Sequence, residues 1–157
     1  MNINKTGLLT SVLLACLCML QVVQAESAIT IDSAWIREAP PATSVLAAYM
    51  TIKNDSETDQ QITGMESPDF ESAEIHRTVV EDGVAKMLPV DALNLAAGDS
   101  VSLEPGGLHV MLFDPQRPLR EGDTATLIVH TASGAAISVQ ATVVRKTGDD
   151  AGHDHSH

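Results

Sequence analysis

Apolar and polar residues alternate along much of the chain. The alternation is clear at Ile29 and Ile31, at Tyr49 and Thr51, and over residues 137–143. A period of two is typical of β-strands with one face on a core, because successive side chains of a strand project to opposite faces. The pattern shows neither a long amphipathic helix nor an internal repeat.

Short groups of turn-forming residues separate these segments. Gly, Asn and Asp favour the backbone conformations that tight turns need. The groups are Asn54-Asp55-Ser56, Glu81-Asp82-Gly83, Ala97-Gly98-Asp99, Pro105-Gly106-Gly107, Glu121-Gly122-Asp123 and Ser133-Gly134. Roughly seven to nine short strands at this spacing predict an all-β sandwich or barrel.

The N-terminal segment has the features of a secretory signal. Lys5 precedes a mostly apolar stretch over residues 8–23, and Val-Gln-Ala follows at positions 23–25. This arrangement predicts a signal peptide over residues 1–25, removed on export. A membrane anchor is disfavoured because the apolar run is short for a spanning helix. A lipoprotein signal ending at Cys16 is also disfavoured, because apolar residues follow it where a polar linker is usual.

Composition narrows the classes of function. The chain has 157 residues and a net charge of −12, and the part after the signal has the size of one domain. Such an acidic protein lacks the basic surface that nucleic acid or an anionic membrane requires, although it attracts cations and basic partners. Both cysteines, Cys16 and Cys18, lie in the predicted signal. The mature protein is therefore expected to have no disulfide and no thiolate metal site.

Two pairs of histidine and methionine stand out. His109 and Met111 would project from one face of a strand, although a lone pair of this kind is more often a core methionine beside a polar histidine. His76 and Met87 flank Asp82-Gly83, a strong signal for a two-residue hairpin turn. With that turn, Met87 shares a face with His76. A three-residue loop would place the two side chains on opposite faces.

The chemistry of these side chains points to copper. Thioether and imidazole donors suit Cu(I) better than Zn(II), calcium or magnesium, which prefer harder ligands. Methionine needs no deprotonation, so only the histidines would make binding pH-dependent. Such donors could hold the ion and still release it to a partner. The sequence thus predicts one Cu(I) bound by His76, Met87, His109 and Met111.

The spacing of these four residues resembles a known family. It reproduces the His-x10-Met-x21-His-x-Met motif of the periplasmic copper chaperones called PCu(A)C. The resemblance covers about residues 29–146. It includes Trp35-Ile36-Arg37, Ala48-Tyr49-Met50, Asn54 and the run over residues 103–112.

The resemblance implies a fold and a function. The fold would be a single cupredoxin-like Greek-key β-sandwich over residues 26–146. The protein would be a periplasmic, monomeric chaperone that is not an enzyme. It would deliver Cu(I) to the binuclear copper centre in the copper-bearing subunit of cytochrome c oxidase, alongside Sco-type proteins. General periplasmic copper storage or resistance is the alternative function.

Other functional classes fit the sequence less well. A blue-copper electron carrier requires a cysteine thiolate, which the mature chain would lack. The sequence contains neither a Gly-x-Ser-x-Gly elbow nor a His-Glu-x-x-His helix, so common hydrolase signatures are missing. A purely structural sandwich remains open, and it should bind no copper with defined stoichiometry.

The remaining histidines and methionines have separate interpretations. His130 is predicted at a strand edge, and Met50 and Met65 in the core. The tail over residues 147–157 is predicted to be flexible and acidic, with His153, His155 and His157 close to aspartates. Imidazole and carboxylate donors would favour Cu(II) or Zn(II) there. A merely solvated tail is the alternative.

Overall fold

The computed structural model describes residues 28–40 and 42–145, and the regular structure there consists of β-strands. The ten strands are β1 (Ile29–Arg37), β2 (Val45–Asn54), β3 (Gln60–Glu66), β4 (Phe70–Glu81), β5 (Val84–Pro89), β6 (Leu93–Leu95), β7 (Ser100–Leu103), β8 (Leu108–Pro115), β9 (Thr124–Thr131) and β10 (Ala136–Val144). The all-β prediction is therefore confirmed. Within the described ranges, no helix is long and apolar enough to cross a membrane. The predicted signal and tail lie outside them.

The strands form one sheet that closes on itself. Their order is β5-β4-β8-β2-β1-β10-β9-β3-β6, with β7 paired to β2. The pairings are antiparallel except that of β1 with β10. A further pairing of β3 with β4, at Met65 and Ala73, joins strands that are distant in this order. The result is a barrel-like or sandwich-like body with β5 at one edge.

Alternate residues of the strands fill the core. Val110 and Leu112 of β8 are fully buried, and so is Leu127 of β9. Met50 and Met65 are 2% and 5% exposed, which confirms that both are core residues. Removing these apolar side chains from water is the main favourable contribution to folding. The side chains between them are left on the outer face of the sheet.

Two expectations for β2 conflict. The alternation of Tyr49 and Thr51 would place these two residues on the core face, but Met50 and Ile52 occupy it, in line with the core position predicted for Met50. Tyr49 projects from the outer face, where the Trp35 ring covers it at a centroid distance of 4.4 Å. Because both faces of β2 are apolar at this point, the alternation alone cannot identify the inner one.

Candidate metal site

Strand β8 carries one of the two histidine and methionine pairs. Because Val110 and Leu112 fill the core, His109 and Met111 project from the outer face, as their spacing predicts. The strand is hydrogen-bonded to β4 on one side and to β2 on the other. The backbone of Met111 is therefore held from both sides, by Glu74 of β4 and Ala47 of β2, and that of His109 is held by His76 of β4.

Strands β4 and β5 form the hairpin that carries the other pair. Its turn is Asp82-Gly83, with φ angles of 52° and 78°. Positive φ at both central residues is what a tight two-residue hairpin turn requires. Thr78 pairs with Met87, so the even loop predicted from the sequence is confirmed. Met87 consequently shares a face with Thr78 and His76.

The pairing of β4 with β8 brings the two pairs together. His76 lies directly opposite His109, and their ring centroids are 6.2 Å apart. Met111 lies opposite Glu74, two residues before His76 on the same face. The four predicted ligand residues therefore share the outer face of three adjacent strands, β5, β4 and β8.

A cavity of about 240 Å³ opens on this face. Met87, His109 and Met111 line it, together with Thr78 and Tyr49. His76 is not among the lining residues and lies beside His109 instead. The structure thus brings three of the predicted ligand residues to one cavity and the fourth to its border.

The exposed fraction of the side chains increases from the two histidines to Met87. His109 and His76 are 4% and 9% exposed, Met111 is half-buried, and Met87 is 57% exposed. Val80 and Leu88 of the same hairpin are also exposed. An exposed apolar surface beside buried polar groups is unusual and commonly marks an interaction site.

Each imidazole has one nitrogen with a polar partner. His76 Nε2 lies 2.9 Å from Glu74 Oε2, and His109 Nδ1 lies 3.1 Å from the Gly107 carbonyl oxygen. The other two nitrogens, His76 Nδ1 and His109 Nε2, are buried without a hydrogen-bond partner among the described residues. An unsatisfied buried polar atom costs roughly 1–3 kcal/mol, and a cation bound on this face would satisfy both nitrogens. Lone pairs beside two thioethers fit a soft metal cation.

Harder donors are not grouped on this face. Within residues 28–40 and 42–145, no three His, Cys, Asp or Glu side chains are arranged to hold a metal ion. Zinc and calcium sites usually need such a group. The further donors beside His76 and His109 are the thioethers of Met87 and Met111, and this donor set favours Cu(I).

Tyr49 forms one wall of the cavity, a role that the sequence did not reveal. Its ring lies against Trp35, and the Arg37 guanidinium carbon is 5.9 Å from its ring centroid. Burial raises the pKa of the Tyr49 hydroxyl above its ordinary value, so this wall is uncharged. The available signal was the presence of Trp35 and Tyr49 in the segments that resemble the PCu(A)C family.

The other histidines lie elsewhere. His130 is the penultimate residue of β9. Its Nε2 lies 3.1 Å from Glu66 Oε2, close enough for an ion pair but not aligned for a hydrogen bond. This position agrees with the predicted strand edge. His153, His155 and His157 lie outside the described residues, so metal binding by the tail stays a prediction.

A larger cavity of about 360 Å³ lies between residues 38–40 and 42–44 on one side and residues 114–120 on the other. Its lining contains neither histidine nor methionine. Arg117, one of the charged residues there, pairs with Asp123. Of these two cavities, the smaller one, beside the two histidines, is lined by three of the predicted metal ligands.

Sequence comparison identifies the family. Residues 29–143 match the family described as "Putative lipoprotein LpqE-like". A Rickettsia prowazekii protein, RP573, is 32% identical over 126 residues, which cover 78% of this chain and 70% of that protein. The family match therefore extends from the first residue of β1 to the penultimate residue of β10.

Solved structures share the fold. The copper-bound PCuAC domain from PmoF2 has a TM-score of 0.63 at 24% identity, covering 76% of this chain and 94% of that domain. The Cu(I) form of DR1885 from Deinococcus radiodurans has a TM-score of 0.60 at 31% identity, covering 78% of this chain and 82% of that one. The resemblance predicted from the sequence is confirmed. This chain belongs to the LpqE-like family, and its fold is that of the PCuAC domains.

Proposed function

We propose that this protein is a periplasmic copper chaperone that binds one Cu(I) through His76, Met87, His109 and Met111. One observation carries the proposal. Two buried ring nitrogens, one from each histidine, have no hydrogen-bond partner among the described residues, and they lie on the face that also carries both methionines. Filling these positions with a soft cation would satisfy both nitrogens and use both thioethers.

Two similar proteins support copper as the cargo. The PmoF2 domain and DR1885 were both solved with copper bound, and the DR1885 form contains Cu(I). In this chain, two neutral thioethers and two imidazoles would bind Cu(I) without adding negative charge. Only the imidazoles compete with protons for the ion.

The exposure of Met87 supports delivery of the ion. A ligand that is 57% exposed on an edge strand can be approached by a partner's ligands, while the buried histidines cannot. We take the acceptor to be the binuclear copper centre of cytochrome c oxidase, reached with the help of Sco-type proteins. The protein acts as a monomer and without catalysis. The resemblance to the PCu(A)C family supports this acceptor.

The proposal also assigns the parts of the chain outside the strands. Residues 1–25 direct export and are removed, and the family description as putative lipoproteins supports a secreted or envelope-anchored location. Cys16 would be the attachment point if the chain were lipid-anchored. The described strands belong to a cupredoxin-like Greek-key sandwich over residues 26–146. His153, His155 and His157, which lie outside the described residues, would take up Cu(II) separately from the main site.

Anaerobic Cu(I) titration of the mature protein tests the site. We expect one Cu(I) per chain, and X-ray absorption should count two sulfur and two nitrogen neighbours. A spectrum with only nitrogen and oxygen neighbours would rule out this ligand set. Met50→Leu is the matched control, because Met50 is a buried core residue and its replacement should leave the spectrum unchanged.

Transfer distinguishes a chaperone from a storage protein. The loaded protein is mixed anaerobically with the copper-free soluble domain of the oxidase subunit that carries the binuclear centre. A chaperone should lose its copper to that domain, which is followed by separating the two proteins and measuring copper in each. Retention of copper would favour storage or resistance.

A further inference from the structure

The geometry points to Glu74 as a positioning residue that fixes which nitrogen of the His76 ring carries the proton and thereby which nitrogen is left to bind Cu(I). Resting on the proposed function, this inference assigns His76 Nδ1 and His109 Nε2 as the donor atoms. The two histidines would thus bind one ion through different ring nitrogens.

The contact between Glu74 and His76 assigns His76 Nδ1 as a donor atom. Glu74 Oε2 is 2.9 Å from His76 Nε2. An ionised carboxylate can only accept a hydrogen bond, so Nε2 must carry the proton. In the neutral ring, Nδ1 then keeps its lone pair. Nδ1 is the nitrogen that is buried without a partner in the described part of the chain.

His109 is oriented by the backbone instead. Its Nδ1 lies 3.1 Å from the Gly107 carbonyl oxygen, which also accepts a hydrogen bond from the Thr78 amide at 3.1 Å. A carbonyl oxygen only accepts, so His109 Nδ1 carries the proton and Nε2 keeps the lone pair. The turn that supplies Gly107 is therefore tied to β4 through Thr78 and orients the His109 ring.

Glu74 is placed to support His76 as a ligand rather than to bind the copper ion itself. Its side chain is 53% exposed, and its Oε2 is engaged with His76 Nε2. A carboxylate that accepts from the distal nitrogen of a ligating histidine fixes the ring orientation and makes the other nitrogen a stronger donor. A hard oxygen donor would also suit Cu(I) poorly.

Three variants test the assignment. Glu74→Ala removes the acceptor, Glu74→Gln keeps a neutral one, and Glu71→Ala removes an exposed carboxylate from the same strand away from the two histidines. Nitrogen-15 NMR of the copper-free protein reports which ring nitrogen of His76 is protonated. Competition with a Cu(I) chelator reports affinity.

We expect the unmutated protein to show His76 protonated at Nε2 and His109 protonated at Nδ1. In Glu74→Ala, His76 should become a mixture of rings protonated at Nε2 and rings protonated at Nδ1, while His109 should be unchanged. The variant should bind Cu(I) roughly 10-fold more weakly, which is the lower end of the losses seen when a residue supporting a ligand is removed. Glu74→Gln should restore most of both properties. Glu71→Ala should match the unmutated protein.

Unchanged His76 protonation together with unchanged Cu(I) affinity in Glu74→Ala would overturn the inference. Loss of an oxygen neighbour from the absorption spectrum in that variant would also overturn it, because Glu74 would then be a ligand. Failure of the unmutated protein to bind Cu(I) with two sulfur neighbours would instead contradict the proposed function. The NMR result on the copper-free protein separates these cases.

Discussion

The two halves of the candidate site are held in different ways. His109 and Met111 lie on β8, which has hydrogen-bonded neighbours on both sides. Met87 lies on β5, which pairs with β4 and ends the sheet. Edge segments with few buried contacts open at lower free-energy cost than central strands. In the proposed site, a fixed inner half on β8 would set the geometry, and an adjustable outer half on β5 would admit and release the ion.

Replacing His109 by alanine should have the largest effect on copper binding. His109 is 4% exposed and occupies the fixed half. Removing a residue that only supports a ligand weakens metal binding by up to about 100-fold. Removing the ligand His109 itself should therefore weaken Cu(I) binding by more than that. Chelator competition measures the change. His130→Ala is the control, and equal affinities for the two variants would contradict the role of His109.

Leucine substitutions at the two methionines compare the halves directly. Met111→Leu conserves volume and apolarity, so it should cost under ~1.5 kcal/mol in unfolding free energy. It should weaken Cu(I) binding more than Met87→Leu does, because Met111 belongs to the fixed half. Met87→Leu should leave stability unchanged, since that side chain is 57% exposed.

Chemical denaturation and chelator competition on both variants provide the measurements, with Met50→Leu as the core control. In cells at limiting copper, Met111→Leu should also lower oxidase assembly, whereas Met50→Leu should not. Unchanged Cu(I) affinity in Met111→Leu would show that this side chain only packs.

Insertion of one glycine after Gly83 should affect the outer half alone. A one-residue change of register turns every following side chain of a strand to the opposite face. Met87 would then leave the face of His76, and X-ray absorption should count one sulfur neighbour instead of two. Insertion of two glycines is the matched control, because a two-residue change of register returns Met87 to the face of His76. Two sulfur neighbours after the single insertion would contradict the proposed part of Met87.

Deletion of residues 151–157 should have the smallest effect on the main site. The donors there are imidazoles and carboxylates, which favour Cu(II) over Cu(I). Cu(I) titration should therefore be unchanged, while any additional uptake of Cu(II) should fall. Loss of Cu(I) binding on deletion would place the tail within the main site.

Local parts of the site could be predicted from the sequence because they depend on neighbouring residues. The period of two places His109 and Met111 on one face, and Asp82-Gly83 specifies a two-residue turn that aligns Met87 with His76. Each inference needs only strand geometry and turn chemistry.

The pairing of the β4–β5 hairpin with β8 could not be derived in this way. β4 and β8 are separated by three other strands in the chain, and their register depends on how the whole core packs. Glu74 reads as an ordinary exposed residue of a strand, and Gly107 as part of a turn. Their contacts with the histidines exist only after that register is set.

Strand β5 also has a consequence for solubility. All six of its residues are exposed, and an open edge strand can pair with another chain and start aggregation. Two residues of β5 oppose this. Lys86 adds a charge that disfavours stacking of identical edges, and Pro89 has no amide hydrogen to donate to a new ladder. The edge strand that carries Met87 can therefore stay uncovered while self-association is discouraged.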